Sequence, residues 1–294
     1  MKKLLFIVNP KAGKMVIKNH VMDIASEFRK SGFEITFCPT LARGEAVDIV
    51  AEKGADYDLI VCAGGDGTLD EVVTGTQIGQ MDVPIGYIPA GSTNDYAKSL
   101  QLPVTIESAA KLIMRGKPRP VDVGAFNDQF FIYCAAFGSL ADVSYSTDQD
   151  MKNMFGHLAY VVDGAISLAN LKSYKMTITV DGVTMTDEFI HGMITNSVSV
   201  GGFKSIVSDQ TKLDDGLFEV LLVKKPKDAA DLTRILSAYL LGDTSVPEIV
   251  FLQTSQISFL SDEPVAWSLD GEFGGAHKES YIENKKQRIR IMRK

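Results

Sequence analysis

Ala63-Gly64-Gly65-Asp66-Gly67-Thr68-Leu69-Asp70-Glu71 is the stretch on which the reading of this chain turns. It follows Leu59–Ala63, an apolar run of strand length, and opens a stretch of helical character. A glycine-rich turn between strand and helix lies at the carboxyl edge of a parallel sheet, where ligands bind in such folds. Consecutive glycines let the backbone aim its N–H groups at one point, and the helix adds the positive end of its dipole. The product is an anion site that suits a polyphosphate. Asp66 would repel phosphate unless Mg2+ lay between them, so the carboxylate points to a divalent cation. Taken alone, the segment fits equally well a tight turn in which Asp66 caps the helix.

Two further segments shift that balance. Asn9-Pro10-Lys11-Ala12-Gly13 follows the apolar run Leu4–Val8, and Pro89-Ala90-Gly91-Ser92-Thr93-Asn94-Asp95 follows Ile85–Ile88. Three polar, glycine-containing loops at successive strand ends converge on one sheet edge and together read as a ligand site. The Walker A, G-x-G-x-x-G and H-R-D patterns are absent from the sequence.

Outward from the loop, residues 1–122 alternate strand and helix signals. Val21, Ile24, Ala25 and Phe28 follow the spacing of an amphipathic helix that Gly32 stops. Glu34–Cys38 reads as a strand, Gly44–Lys53 as a helix, and Ile106, Ala109, Ala110 and Ile113 mark another helix. Such alternation implies right-handed crossovers and a parallel sheet covered on both faces. After Gly116-Lys117-Pro118-Arg119-Pro120 the signals become short strands: Lys175–Val180, Val183–Ile190, Gly192–Asn196, Leu217–Val223, Gln256–Leu260 and Ala266–Leu269. Asp181-Gly182 is a hairpin dipeptide, and helices are expected near Asn153–Asn170 and Asp228–Leu240. The expectation is therefore α/β plus β. An α/β domain spans 1–122 and a mainly antiparallel β domain spans 123–294, with a cleft between them.

Composition narrows the function. The 294 residues are 45% hydrophobic and 23% charged, an ordinary globular balance. A net charge of −7 speaks against nucleic acid as a partner. Cys38, Cys62 and Cys134 are scattered in apolar stretches, which suggests buried hydrophobes in a reducing compartment rather than disulfides or metal ligands. The four histidines have no metal-ligand spacing. Leu4–Val8 is shorter than a signal h-region, and Asp163 interrupts the longest apolar run, Leu158–Leu171, so membrane contact is expected to be peripheral. Leu213-Asp214-Asp215-Gly216-Leu217 and Leu269-Asp270-Gly271-Glu272 set acids at glycine turns. Asp-Gly is the ordinary hairpin dipeptide, whereas Glu272, just beyond its turn, is a candidate general base.

These segments resemble the diacylglycerol kinase catalytic domain of soluble bacterial lipid kinases, shared with sphingosine and ceramide kinases. The resemblance runs through Asn9-Pro10-x-Ala12-Gly13, Gly64-Gly65-Asp66-Gly67-Thr68, Gly91-Ser92-Thr93-Asn94-Asp95-Tyr96-Ala97 and Val121-Asp122-Val123-Gly124. It continues through Gly156-His157-Leu158-Ala159-Tyr160, Asn196 with Gly201-Gly202, Leu213 to Leu217, and Asp270-Gly271-Glu272. It implies an N-terminal α/β nucleotide domain and a C-terminal antiparallel β-sandwich with the active-site cleft between them, and transfer of a phosphoryl group from ATP to a lipid hydroxyl, diacylglycerol giving phosphatidic acid. By the same resemblance, Asn9, Pro10, Lys11, Ala12, Gly13, Thr40, Gly65, Asp66, Gly67, Thr68, Leu69, Asp70, Glu71 and Ser92 contact ATP. Asp66 and Asp95 act on a catalytic Mg2+, and Glu272 is the base. A second, structural Mg2+ is held by Asp215 and the backbone carbonyls of Lys212 and Leu217.

The sequence departs from the family pattern in places. Asp70 stands where the family usually has Asn, and Ser92 replaces the usual Thr. Ser208-Asp209 falls where a Pro is common, and the Pro usual after D-G-E is missing near Gly274–His277. The alternatives are an NAD kinase, which shares the first loop, and a catalytically silent lipid-binding regulator. The expected setting is cytoplasmic and peripheral at the inner face of an anionic membrane, reached through the basic stretch Lys285–Lys294. Oligomeric state is left open, a homodimer included.

Overall fold

The computed structural model describes residues 1–13, 15–138, 171–197 and 211–294, without the side chains of residues 239 and 240. The expected helix at Asn153–Asn170, the Gly156–Tyr160 motif, Gly201-Gly202 and Ser208-Asp209 lie outside the described residues. The chain forms two compact units, Met1–Asp122 with Gln287–Lys294, and Val123–Lys286.

In the first unit, β1 (Lys2–Val8) pairs in parallel with β2 (Phe33–Pro39) on one side and β3 (Leu59–Gly64) on the other. β4 (Ile85–Pro89) extends the sheet in parallel beyond β3. Leu4 to Ile7 are 0% exposed, as a continuous apolar run requires when helices cover both faces. From α1 (Val21–Lys30) come Ile24 and Phe28, and from α5 (Ile106–Arg115) come Ile106, Ala109, Ala110 and Ile113, into one core with Leu4, Phe6, Val61 and Ile88. Gly86 allows the contact between α5 and β4, since a Cβ there would stand 2.8 Å from a methyl of Ile113. In the same way Gly75 of α3 (Asp66–Ile78) meets Val50 of α2 (Glu45–Lys53), where a Cβ would come within 2.7 Å. A short helix, α4 (Asp95–Ser99), follows the β4 loop.

The last eight residues, expected with the second domain, belong to the first unit. The cause is the alternation of Ile and Arg at the end of β13 (Glu272–Arg293). Ile289 and Ile291 are buried, and Ile291 pairs in parallel with Ile85, so β13 continues the sheet beyond β4. The arginines between them face polar partners: Arg288 Nε donates to Gln77 Oε1 at 2.8 Å, and Arg290 Nε to Asp82 Oδ1 at 2.7 Å.

The second unit is built of antiparallel strands. β5 (Lys117–Phe126), which begins in the first unit, continues into it and pairs with β6 (Gln129–Phe131). The others are β7 (Cys134–Gly138), β8 (Tyr174–Val180), β9 (Val183–Thr195), β10 (Phe218–Lys224), β11 (Ile249–Thr254), β12 (Gln256–Leu269) and the first part of β13, with α6 (Ala229–Leu241) between β10 and β11. Two pairs of expected strands are single long strands. Val183–Ile190 and Gly192–Asn196 merge into β9 because Gly192 does not break it; a Cβ there would lie 2.1 Å from the Phe137 ring. Gln256–Leu260 and Ala266–Leu269 merge into β12, whose register shifts after Leu260 and again after Ala266. One half of β9 pairs with β8 and the other with β7, and β12 does the same, which closes the pairing into a circuit. Strands that bend at bulges to serve two sheets are a device of sandwich folds. The core is aromatic, with Trp267 at 4.9 Å from Phe137, 5.0 Å from Phe126 and 5.1 Å from Phe259, centroid to centroid.

If Ile291 seals the edge of β4, Ile291→Ala should destabilise the first unit by about 2–5 kcal/mol. Hydrogen exchange should show faster opening of β4. Unchanged protection there would mean that the C-terminal strand adds nothing to the sheet.

Candidate active site

The three loops predicted to converge do so at the carboxyl ends of β1, β3 and β4. Asn9 N–H donates to Ala63 O at 2.9 Å, and its amide reaches Thr68 Oγ1 at 3.3 Å, joining the first loop to the second. Gly13 (φ 52) lies so close to the third loop that a Cβ would stand 2.6 Å from Ala90 O. A Cβ on Gly91 would stand 2.6 Å from the Cα of Gly65. Backbone therefore packs on backbone here, and the first N–H groups of α3, which lack intrahelical partners, face the same edge. Asn94, in the left-handed region at φ 52, closes the third loop on itself. Its Oδ1 accepts from Gly91 N–H at 3.0 Å, and its Nδ2 donates to Gly91 O at 2.9 Å.

Asp66 and Asp95 begin α3 and α4. Burial pushes the Asp66 carboxyl up to about 6; the Asp95 charge adds to this, while the Tyr87 hydroxyl and the N–H groups of Asp95 and Tyr96 oppose it. Tyr87 O–H donates to Asp66 Oδ1 at 3.2 Å. Asp95 is 3% exposed, and Lys98 Nζ meets its Oδ1 at 2.7 Å. A half-buried and a buried carboxylate, close enough to repel and with oxygen donors only, fit a hard cation such as Mg2+. Tyr87 and Lys98 carry no expectation from the sequence, and Asn94 stands there only as a member of the third loop. Tyr87 left one signal, a hydroxyl in an otherwise apolar strand, which needs a partner when buried.

Glu71, Leu69 and Thr40, also expected at ATP, carry structural contacts. Glu71 spends both carboxylate oxygens on the turn into α2, accepting from Gly44 N–H at 2.9 Å and Ala46 N–H at 3.3 Å. Leu69 is buried in the core, and its N–H donates to Gly65 O at 3.3 Å. Thr40 is tied to the end of β1, its N–H donating to Val8 O at 2.8 Å. Pro10 is half-buried and Ala12 buried, whereas Lys11, Gly67 and Ser92 are exposed; Asp70 is half-buried, one turn into α3.

In the second unit, Asp215 Oδ1 accepts from Leu217 N–H at 3.0 Å, within the turn that includes exposed Lys212. Close by lies Glu219, buried at 3% exposure, whose carboxyl is raised by burial and also by the charge of Asp215. Its Oε1 accepts from Gln253 at 3.1 Å, while Oε2 lies buried without a closed hydrogen bond. Among the described residues no cluster of three or more His, Cys, Asp or Glu gathers to hold a metal. A cation here would rely on carboxylate and backbone carbonyl oxygens with water, which suits Mg2+. Glu272 is exposed at the start of β13, paired with Leu269 across the turn.

The diacylglycerol kinase catalytic domain model matches residues 3–126. The model of the YegS C-terminal NAD kinase beta sandwich-like domain matches residues 135–289. A protein named diacylglycerol kinase from Bacillus subtilis (strain 168) is 33% identical over 278 residues, 94% of this chain and 91% of that protein. The chain belongs to the diacylglycerol kinase family. A second diacylglycerol kinase, from Staphylococcus carnosus (strain TM300), is 32% identical over 99% of this chain and 94% of its own length. The crystal structure of a candidate diacylglycerol kinase from Bacillus anthracis str. Sterne aligns at a TM-score of 0.84 and 25% identity, covering 100% of this chain and 97% of that one. This is a lipid kinase family, and its second domain is a β-sandwich. Among the described residues of this family member no helix is long and apolar enough to cross a membrane.

The raised Asp66 carboxyl gives a pH signature. Between its ordinary value of 3.8 and about 6 the folded state holds a proton that the unfolded chain has released, so stability falls as pH rises through that window. In metal-free protein, Asp66→Asn should raise stability at pH 8 by about 2–3 kcal/mol. The gain should vanish near pH 4 in thermal melts with EDTA. An equal gain at both pH values would show that the buried charge is not its source.

Proposed function

We propose that this chain is an ATP-dependent lipid kinase that converts diacylglycerol to phosphatidic acid. The observation that carries the reading is the meeting of three glycine loops beside half-buried Asp66 and buried Asp95. Family membership and the names of the relatives support it. Phosphoryl transfer asks a protein chiefly for positioning and charge neutralisation. In this reading Asn9 to Gly13, Gly65 to Thr68 and Ser92 hold the triphosphate, largely by backbone N–H groups, and Thr40 borders the nucleotide. Asp66 and Asp95 hold Mg2+, which when bound neutralises the charge on the transferring phosphoryl group. Glu272 accepts the proton of the lipid hydroxyl. Asp215, with the carbonyls of Lys212 and Leu217, holds a second, structural Mg2+ and relieves the repulsion between Asp215 and Glu219.

The test incubates the protein with labelled ATP, Mg2+ and a panel of lipids in mixed micelles, with NAD in a lipid-free arm. Labelled phosphatidic acid is the expected product; labelled NADP, or lipid binding without turnover, would overturn the reading. Asp66→Ala and Glu272→Gln should each remove activity, the latter by about 10²–10⁴-fold as for other general bases. Near-parental kcat in either would remove that residue from the mechanism.

Access to lipid is proposed to come through the basic end of the chain. Arg288 and Arg290 are engaged within the first unit, and Lys285 Nζ meets Glu283 at 2.8 Å, so Lys286 and Lys294 are the exposed lysines of the stretch. Each cation near an anionic bilayer is worth about 1 kcal/mol and fades within a Debye length. Changing Lys285, Lys286, Arg293 and Lys294 to Gln should abolish activation by anionic vesicles at low salt. Identical responses of variant and parent would assign docking elsewhere.

A further inference from the structure

Two hairpin turns of the second unit share a backbone and differ in what their aspartate does. Asp181-Gly182 joins β8 to β9 with φ 50 and 77, and Asp270-Gly271 joins β12 to β13 with φ 50 and 83. Both are turns in which φ is positive at both central residues, which Asp-Gly and Asn-Gly adopt without help. Asp181 is accordingly exposed. Asp270 instead drives its carboxylate into the link between β6 and β7. Oδ2 accepts from Ile132 N–H at 2.6 Å, and Oδ1 from Tyr133 N–H at 3.0 Å and Cys134 N–H at 2.9 Å. The backbone adds two more bonds, Asp270 N–H to Cys134 O at 2.8 Å and Tyr133 O–H to Asp270 O at 3.2 Å.

Turn formation needs none of these bonds, so they serve something else. Three successive N–H groups make a nest that selects an anion. The nest is itself fixed: Asn196 N–H donates to Tyr133 O at 3.0 Å, and Cys134 begins a buried strand paired with β9. Two residues past Asp270 stands Glu272, exposed at the first position of β13 and followed by exposed Phe273 and by Gly274-Gly275. The strand is tied beyond Glu272 at Gly274, whose carbonyl accepts from Gln129 Nε2 at 2.9 Å, and Asp270 ties the turn on the other side of it. A general base has to lie within hydrogen-bond reach of the proton it takes, and a misplacement of about 1 Å can cost about 10²-fold.

We propose that Asp270 is a positioning residue: its carboxylate, seated in the 132–134 nest, fixes the place of Glu272. The proposal rests on the reading of Glu272 as the base. Asn is as good a turn residue as Asp but puts an NH2 group against an N–H donor, so Asp270→Asn breaks the nest and keeps the turn.

The experiment measures kcat, the KM for ATP and thermal midpoints for Asp270→Asn in the parent and in the Glu272→Gln background, with Asp181→Asn as the matched control. In the parent background kcat should fall about 10- to 100-fold with the KM for ATP unchanged. In the Glu272→Gln background the same change should cost less than about twofold, because there is no base left to place. Asp181→Asn should behave as the parent. Parental kcat in Asp270→Asn would overturn the proposal, as would an equal loss in both backgrounds or a parallel rise in KM, which mark a general structural role. If Asp270→Asn does not fold, Tyr133→Phe loosens the same turn by one bond, and the same background-dependent pattern is expected at smaller size. Full activity in Glu272→Gln alone would defeat the base reading itself, whereas a normal loss there beside an unaffected Asp270→Asn defeats only the positioning role.

Discussion

The site in the first unit depends on how near three backbones come to one another at the edge of a parallel sheet. A Cβ on Gly13 would strike the carbonyl of Ala90 and one on Gly91 the Cα of Gly65, while one on Gly64 would strike the Thr68 side chain. That crowding is the physical meaning of the glycines. It concentrates N–H donors and helix starts where side chains would otherwise stand, and it leaves Asp66 half-buried and Asp95 buried at the first positions of α3 and α4. Burial then raises the Asp66 carboxyl, so the loops that make an anion site also make an uncomfortable place for an anion of the protein's own. Such a local cost is typical of functional positions, where stability is given up for chemistry.

Much of this was legible from residue order. The buried strands of the first unit read as continuous apolar runs, and the loops at their ends read as turns with a purpose, because local pattern and tertiary role agree there. What was not legible depended on partners distant in sequence. Glu71 sits in the glycine-rich motif yet caps α2, a use that only the approach of α2 to α3 creates. The unbroken course of β9 through Gly192 depends on the Phe137 ring lying across it. Asp270 looked like a turn residue because its backbone is one; its three donors come from residues more than a hundred positions earlier.

The second unit achieves its closure differently. Its strands are long and shared, with β9 and β12 each serving both β7 and β8, and aromatic rings around Trp267 fill the space enclosed. A sequence read in windows of strand length splits such strands at their irregular points, which is why two were expected as four. Bulges that break the pattern locally are the features that let one strand serve two neighbours.

The return of residues 287–294 to the first unit bears on how the protein is made. Domains generally fold in the order of synthesis. Here the sheet edge at β4 waits for Ile291, so the first unit cannot be completed until the whole second unit has been translated. During that interval β4 presents an open parallel edge, the kind of surface that invites wrong pairing. The order of assembly is thereby fixed by topology: the unit whose sequence comes first is the one finished last.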